Sequence, residues 1–231
     1  MLAANSMAFQ LDQIVPWGRS FDEYVRMFSL TDDDLKKRIL GCGDGPASFN
    51  ATMHRMGNNV VSVDPLYQCS ADQVRGRVQE VYPTIMEQLV TNQSAYVWTT
   101  ISSIEELGRI RSEAMEEFLA DFEPGRIKGR YLPHELPDLP FTDHQFDMAL
   151  CSHLLFTYSG QLSAEFHCQA VLEMCRVVKE VRVFPLLDQG GQRSPHLDSV
   201  CRFLKEHGHH VEVEPVDYEF QRGSNEMLRI R

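Results

Sequence analysis

At 231 residues with 43% hydrophobic content, the chain suits one α/β domain carrying an insertion better than two full domains. Its formal charge of −11 opposes broad binding to a nucleic-acid backbone, because phosphate contacts need clustered Lys and Arg. Six cysteines show no C-x-x-C pair or metal-ligand spacing, no apolar run approaches the roughly 18 residues of a membrane span, and no leader pattern opens the chain; a cytoplasmic protein without a metal site is expected.

Residues before about Ser20 read as loosely structured. Ser20-Phe21-Asp22-Glu23 is a capping-box pattern that opens a helix through Tyr24, Met27 and Phe28, and Thr31-Asp32-Asp33-Asp34 is a second start signal. Residues 1–37 therefore form a helical cap over the open end of the sheet that follows. Trp17, Arg19 and Tyr24 are its candidate lid residues; the plainer reading is an aromatic staple.

Arg38-Ile39-Leu40 then enters a turn with glycines at 41, 43 and 45, a helix runs from Pro46 to Met56 with Gly57 as its cap, and Val60-Val61-Ser62-Val63 ends in Asp64-Pro65. This is a strand, loop, helix, strand unit of a nucleotide-binding sheet. Glycine permits positive φ and lets a ligand approach without meeting a Cβ. Asp64, about twenty residues on, is placed to accept both hydroxyls of a ribose. A dinucleotide loop needs G-x-G-x-x-G/A so that pyrophosphate can rest on the helix N-terminus. Here the third glycine comes one residue early, Pro46 follows, and Asp44 puts a carboxylate in the turn. Those features oppose phosphate, and with it a nicotinamide dehydrogenase. They suit S-adenosyl-L-methionine, which has a ribose and a cationic sulfonium but no phosphate.

Residues 66–125 read as a helical insertion between the second and third strands. Ser70-Ala71-Asp72-Gln73 and Ser103-Ile104-Glu105-Glu106 look like capping boxes, the second opening an amphipathic stretch to about Leu119. A simple crossover needs about a dozen residues and one helix, so about forty are to spare. They could supply an acceptor pocket or a homodimer interface, with Tyr82, Met86, Tyr96, Trp98 and Met115 as apolar bulk. Arg126, Lys128 and Arg130 are the best basic patch, read as a solvated edge.

The third strand is expected over Gly129–Pro133 and the fourth over Gln145–Ser152. Beyond the fourth come Ser152, His153 and Tyr158, where ligands of open α/β sheets collect. His153 titrates near neutrality and is the candidate to take a proton from an acceptor; Tyr158 is a second of the same type. The plain alternative for His153 is a bond to a loop carbonyl. A helix over Ser163–Val178 should pack Phe166, Val171, Leu172 and Cys175 inward. The fifth strand, Val181–Asp188, ends in an acid that is either an acceptor contact or a turn residue. Ser194-Pro195 starts a last helix that stops at His207-Gly208, and His210–Phe220 with Glu226–Arg231 reads as a hairpin.

Gly41-Cys42-Gly43-Asp44-Gly45, Asp64, Leu139-Pro140-Phe141 and Phe146-Asp147 resemble the motif series of class I S-adenosylmethionine-dependent methyltransferases, over most of the chain. The longer string to Asn50 is similar to a narrower set of bacterial methyltransferase-like proteins. The resemblance implies a Rossmann-like, doubly wound, seven-stranded sheet, mostly parallel and closed by a C-terminal antiparallel hairpin. It assigns the cofactor to Gly41, Cys42, Gly43, Asp44, Gly45, Asp64, Pro65, Glu135, Leu136 and Ser152, with Glu135, or Asp138 after it, reading the adenine. Many members carry an acid for the methionine ammonium where this chain has Ile39, leaving Asp44 or loop carbonyls to that task. The implied activity is in-line methyl transfer to a small-molecule acceptor. Methylation of protein or RNA, and S-adenosylmethionine binding without transfer, are the alternatives.

Overall fold

The computed structural model describes residues 17–231, so the expectation for the chain before Trp17 lies outside the described residues. Seven strands form one sheet in the order β3-β2-β1-β4-β5-β7-β6. They are β1 (Ile39–Cys42), β2 (Val60–Val63), β3 (Tyr131–Leu132), β4 (Met148–Ser152), β5 (Glu180–Phe184), β6 (Val211–Pro215) and β7 (Glu226–Ile230). The first five pair in parallel, and β7 runs antiparallel to both β5 and β6. This is the doubly wound, mostly parallel sheet with a closing antiparallel pair that the resemblance implies. Every residue of β1 and β4 is buried, as strands covered on both faces require.

Side chains alternate between two layers. Leu40, Cys42, Ala149 and Cys151 face α5 (Ala164–Val177) and α6 (Leu197–Glu206) in one core. Ile39, Met148 and Leu150 face α1 (Phe21–Met27) and α2 (Phe49–Arg55) in the other. Between β1 and β4 the winding reverses, which opens a crevice beyond their carboxyl ends.

The insertion consists of α3 (Ala71–Thr91) and α4 (Ile104–Ile127). Ser70 and Gln73 complete a capping box on α3. At α4 only half the expected box forms: Ser103 caps the Glu106 amide, while the Glu106 carboxylate turns to the Ser102 amide at 2.7 Å. The helix runs past Leu119 because Phe118 and Phe122 continue its apolar face against Tyr67 and Tyr131. Tyr96 and Met115 are buried in the fold, and Tyr82 packs against Trp17 at 5.6 Å, so much of the insertion's aromatic bulk is used internally. No helix among the described residues is long and apolar enough to cross a membrane.

Several elements are shorter than their patterns predict, for identifiable reasons. The helix expected from Pro46 begins at Phe49, because the Ser48 amide bonds the Arg19 carbonyl at 3.0 Å and holds Pro46 and Ala47 in the loop. Gly129 belongs to the end of α4 rather than to β3: it takes φ +71, and its amide and that of Arg130 close the helix onto Arg126 and Gly125. Pro185, without an N–H, follows the end of β5. Thr31 starts only one turn of 3-10 helix, Asp34–Lys36. The link from β6 to β7 is no tight turn but a ten-residue excursion over residues 216–225, and Phe220 meets the insertion through the Val97 amide at 2.8 Å. In α5, Phe166 and Leu172 are only half-buried, and His167 lies fully inside instead. The basic residues at the α4 end are paired or exposed: Arg130 grips Asp121 at 2.7 Å, Arg126 grips Glu123 at 2.7 Å, and Lys128 faces water.

Candidate active site

The glycine loop is held by its own carboxylate. Asp44 folds back under the turn, where Tyr24 donates to Oδ1 at 2.9 Å and Ser62 to Oδ2 at 2.6 Å; Asn50 in turn donates to Ser62 at 3.0 Å. A Cβ at Gly41 would overlap that carboxylate, and one at Gly43 would meet Leu154. Only at Gly45, with φ +52, is the space open. Two of the three glycines thus admit protein side chains, and at Gly45 a Cβ would meet nothing.

Asp64 continues β2 into the same space. Its Oδ2 accepts from the Gly45 amide and its Oδ1 from the Leu66 amide, both at 2.8 Å. Tyr67 donates to the Gly45 carbonyl at 2.8 Å, so loop and strand end are cross-braced. Burial raises the Asp44 carboxyl to about 6 against the pull of its two hydroxyl donors, and burial also raises Asp64.

A cavity of about 690 Å³ opens here. Gly43, Asp44, Gly45, Asp64 and Pro65 line one side; Glu135, Leu136, Ser152, His153 and Tyr158 line the other. Gly41 and Cys42 lie behind it, the Cys42 thiol fully buried in the core and pushed well up by burial. Asp138 is not on the wall; its amide bonds the Glu135 carbonyl at 3.1 Å. Ile39 is a core residue at the start of β1. Asp188 caps its own turn through the Gln192 amide at 3.0 Å and lines neither this cavity nor its neighbour, so the turn reading holds. The expected cap residues Trp17, Arg19 and Tyr24 all reach the cavity wall.

His153 sits at φ +54, a left-handed conformation that costs a non-glycine residue roughly 1–3 kcal/mol. Its amide bonds the Phe184 carbonyl at 2.7 Å, and its Nδ1 lies 2.9 Å from Ser152 Oγ. Burial first, then the charges of Arg19 and Arg111, pushes its pKa well below the ordinary range. The imidazole is therefore neutral at pH 7. It has a lone pair to offer, but the same surroundings make it a weak base.

Trp17, Arg19, His153 and Tyr158 also line a second cavity of about 140 Å³, closed by the insertion and the β6–β7 link. Arg111 lines it at 1% exposure and is paired with Glu23. Tyr218 donates to the other Glu23 oxygen at 2.8 Å. Burial pushes the Glu23 carboxyl up, but the Arg111 charge and hydrogen bond outweigh it and hold it at about 2. Arg19, lowered to about 10 by burial and then by Arg111, adds a second guanidinium with no carboxylate of its own among the described residues. Sequence reasoning took Glu23 only as a helix cap and passed over Arg111. The signal was there: position 111 falls in phase with Ile104, Leu107, Met115, Phe118 and Phe122 on the buried stripe of α4.

The strand order, the closing hairpin and a cavity at the switch point define a Rossmann-like sheet of the methyltransferase type. No family model matches the chain. The chain belongs to the family of the uncharacterized protein MJ0045 of the archaeon Methanocaldococcus jannaschii, with which it shares 31% identity over 222 residues, 96% of this chain and 97% of that protein. Among solved structures, it is similar to magnesium protoporphyrin IX methyltransferase from Synechocystis PCC 6803 with bound SAM, at 11% identity, 91% coverage of this chain, 76% of that one and a TM-score of 0.48. It is also similar to a SAM-dependent methyltransferase from Aquifex aeolicus, at 13% identity, 90% coverage of each chain and a TM-score of 0.41.

Proposed function

We propose that this protein transfers a methyl group from S-adenosylmethionine, held in the larger cavity, to a small-molecule acceptor entering from the smaller one. The observation that carries this reading is the charge of the larger cavity. Three carboxylates, Asp44, Asp64 and Glu135, line it, and Arg19 at its neck is the one Lys or Arg on its described wall. Such a wall repels pyrophosphate and suits a ligand with a sulfonium and an ammonium. Its volume lies within the range of small-molecule sites.

In this reading Asp64 takes the ribose hydroxyls with the lone pairs its two amide bonds leave free, Glu135 and Leu136 meet the adenine, and Asp44 supplies negative charge from beneath the loop. Pro65 and Ser152 shape the wall. The donor supplies a methyl group on a positively charged sulfur. The acceptor's lone pair forms the new bond to that carbon as the C–S pair returns to sulfur, leaving S-adenosylhomocysteine. Holding the two partners in line contributes about 7–11 kcal/mol in well-oriented cases. Where the acceptor carries a proton, His153 takes it, with Tyr158 as its neighbour on the shared wall. The small volume of the second cavity favours a small acceptor over protein or RNA. Six free cysteines support a reducing, cytoplasmic setting.

The test is calorimetric titration with S-adenosylmethionine, S-adenosylhomocysteine and NAD in parallel. The reading expects micromolar binding of the first two, near −8 kcal/mol, none of NAD, and loss of affinity in Asp64→Ala. Binding of NAD, or of neither sulfur ligand, rejects it.

A further inference from the structure

The smaller cavity holds an unusual concentration of unsatisfied donors. Half of the buried side-chain polar atoms without a partner among the described residues belong to residues on its wall: Arg19 Nε, Arg111 Nε, Thr157 Oγ1 and Gln189 Nε2. All four can donate, and the three nitrogens can do nothing else. The nearby carboxylate, Glu23, is already engaged by Arg111, by Tyr218 and by the Ser20 amide at 2.9 Å. Arg111, fully buried, holds that carboxylate, and the half-buried Arg19, its Nε buried, has no carboxylate of its own among the described residues, which leaves an excess of one positive charge at this wall. Such a charge is costly until an anion meets it. Ile85, Leu89 and Leu107 of the insertion and Phe220 of the β6–β7 link give the wall its apolar part, beside polar groups of His153, Tyr218, Gln221 and Ser224. An apolar cavity of about 150 Å³ holds a benzene ring, and this one measures about 140 Å³.

We propose that the smaller cavity binds a monocarboxylate with a benzene-sized or short branched apolar body, its carboxylate facing Arg19, Arg111, Thr157 and Gln189, and that such an acid is the class of methyl acceptor. A single negative charge matches the single excess positive one, and a compact planar head suits the volume. The acceptor role rests on the donor reading above; the anion site does not. Arg19 stands on the wall shared with the larger cavity, so the competing occupant of its guanidinium is the carboxylate of the donor itself.

The experiment is calorimetric titration of benzoate, and of benzamide as its neutral isostere, at constant salt, with and without S-adenosylhomocysteine. Benzoate should bind at least tenfold more tightly than benzamide and leave S-adenosylhomocysteine in place. Arg19→Gln should abolish that preference, and Thr157→Val, which alters no charge, should reduce it about threefold. Equal binding of the two probes, displacement of S-adenosylhomocysteine by benzoate, or an unchanged preference in both variants overturns the assignment. Preferential benzoate binding without any S-adenosylhomocysteine binding keeps the anion site and removes the donor reading. The reverse pattern removes the anion site and keeps the donor reading.

Discussion

Two cavities meet at His153, and their walls carry opposite charge. Asp44, Asp64 and Glu135 line the larger; Arg19 and Arg111 line the smaller. The difference follows from which elements build them. Strand ends and their loops offer backbone amides, and the Gly45 and Leu66 amides make the Asp64 carboxylate tolerable in a half-buried place. The cap and insertion bring charge together from separate helices: Glu23 is met by Arg111, Tyr218 and the Ser20 amide, and Arg19 has no carboxylate of its own among the described residues. Asp64 is therefore held by backbone amides, whereas Glu23 of the cap is held chiefly by side chains distant in sequence.

That contrast can be broken first at Glu23. Glu23→Gln leaves Arg111 buried without its partner and should cost about 3–5 kcal/mol, read as a lowered urea midpoint at pH 7. An unchanged midpoint would mean that the pair carries no stabilising charge. Next comes pH. Asp44 has a folded pKa of about 6 against an ordinary 3.8, so the folded state holds its proton more tightly. Its stabilising contribution is full below 3.8 and is lost as pH rises through 6, a loss on the order of 3 kcal/mol. Glu23 has the opposite sign: its contribution is present above 4.5 and lost as pH falls through 2. Urea titrations from pH 4.5 to 6.5 should show stability declining in the wild type and a flatter profile in Asp44→Asn.

At the shared wall the effects are on rate. His153→Gln should slow transfer to a protonated acceptor about a hundredfold, at the low end for a general base, as suits an imidazole kept neutral by its surroundings. Unaltered turnover would leave alignment as the protein's whole contribution. In the larger cavity, Asp64→Ala should weaken S-adenosylhomocysteine about thirtyfold by calorimetry, the scale of hydrogen bonds to a charged group. Comparable weakening of benzoate in that variant would dissolve the distinction between the two compartments.

Local signals carried much of the architecture. The Ser20, Ser70 and Ser103 caps, Gly57 behind α2 and the apolar runs of β1, β2 and β4 are all readable within a few residues. Strand bounds were overshot at Gly129, before Tyr131-Leu132, and at Pro185, inside an apolar run, because hydropathy does not register a helix cap or a missing N–H. The glycine loop was legible as a loop, but not the reason for each glycine: that Asp44 turns back beneath Gly41 depends on Tyr24 and Ser62, about twenty residues away on either side. The second cavity was least legible, since Glu23 and Arg111 lie 88 residues apart and nothing local links them. Only the phase of Arg111 on a buried helix face marked it.

The most direct test of the two-cavity account is a crystal structure of the protein with S-adenosylhomocysteine. The account predicts ribose hydroxyls on Asp64, adenine at Glu135 and Leu136, and the sulfur turned toward His153 and the mouth of the smaller cavity. Density for the ligand elsewhere, or a sulfur directed away from His153, would contradict it.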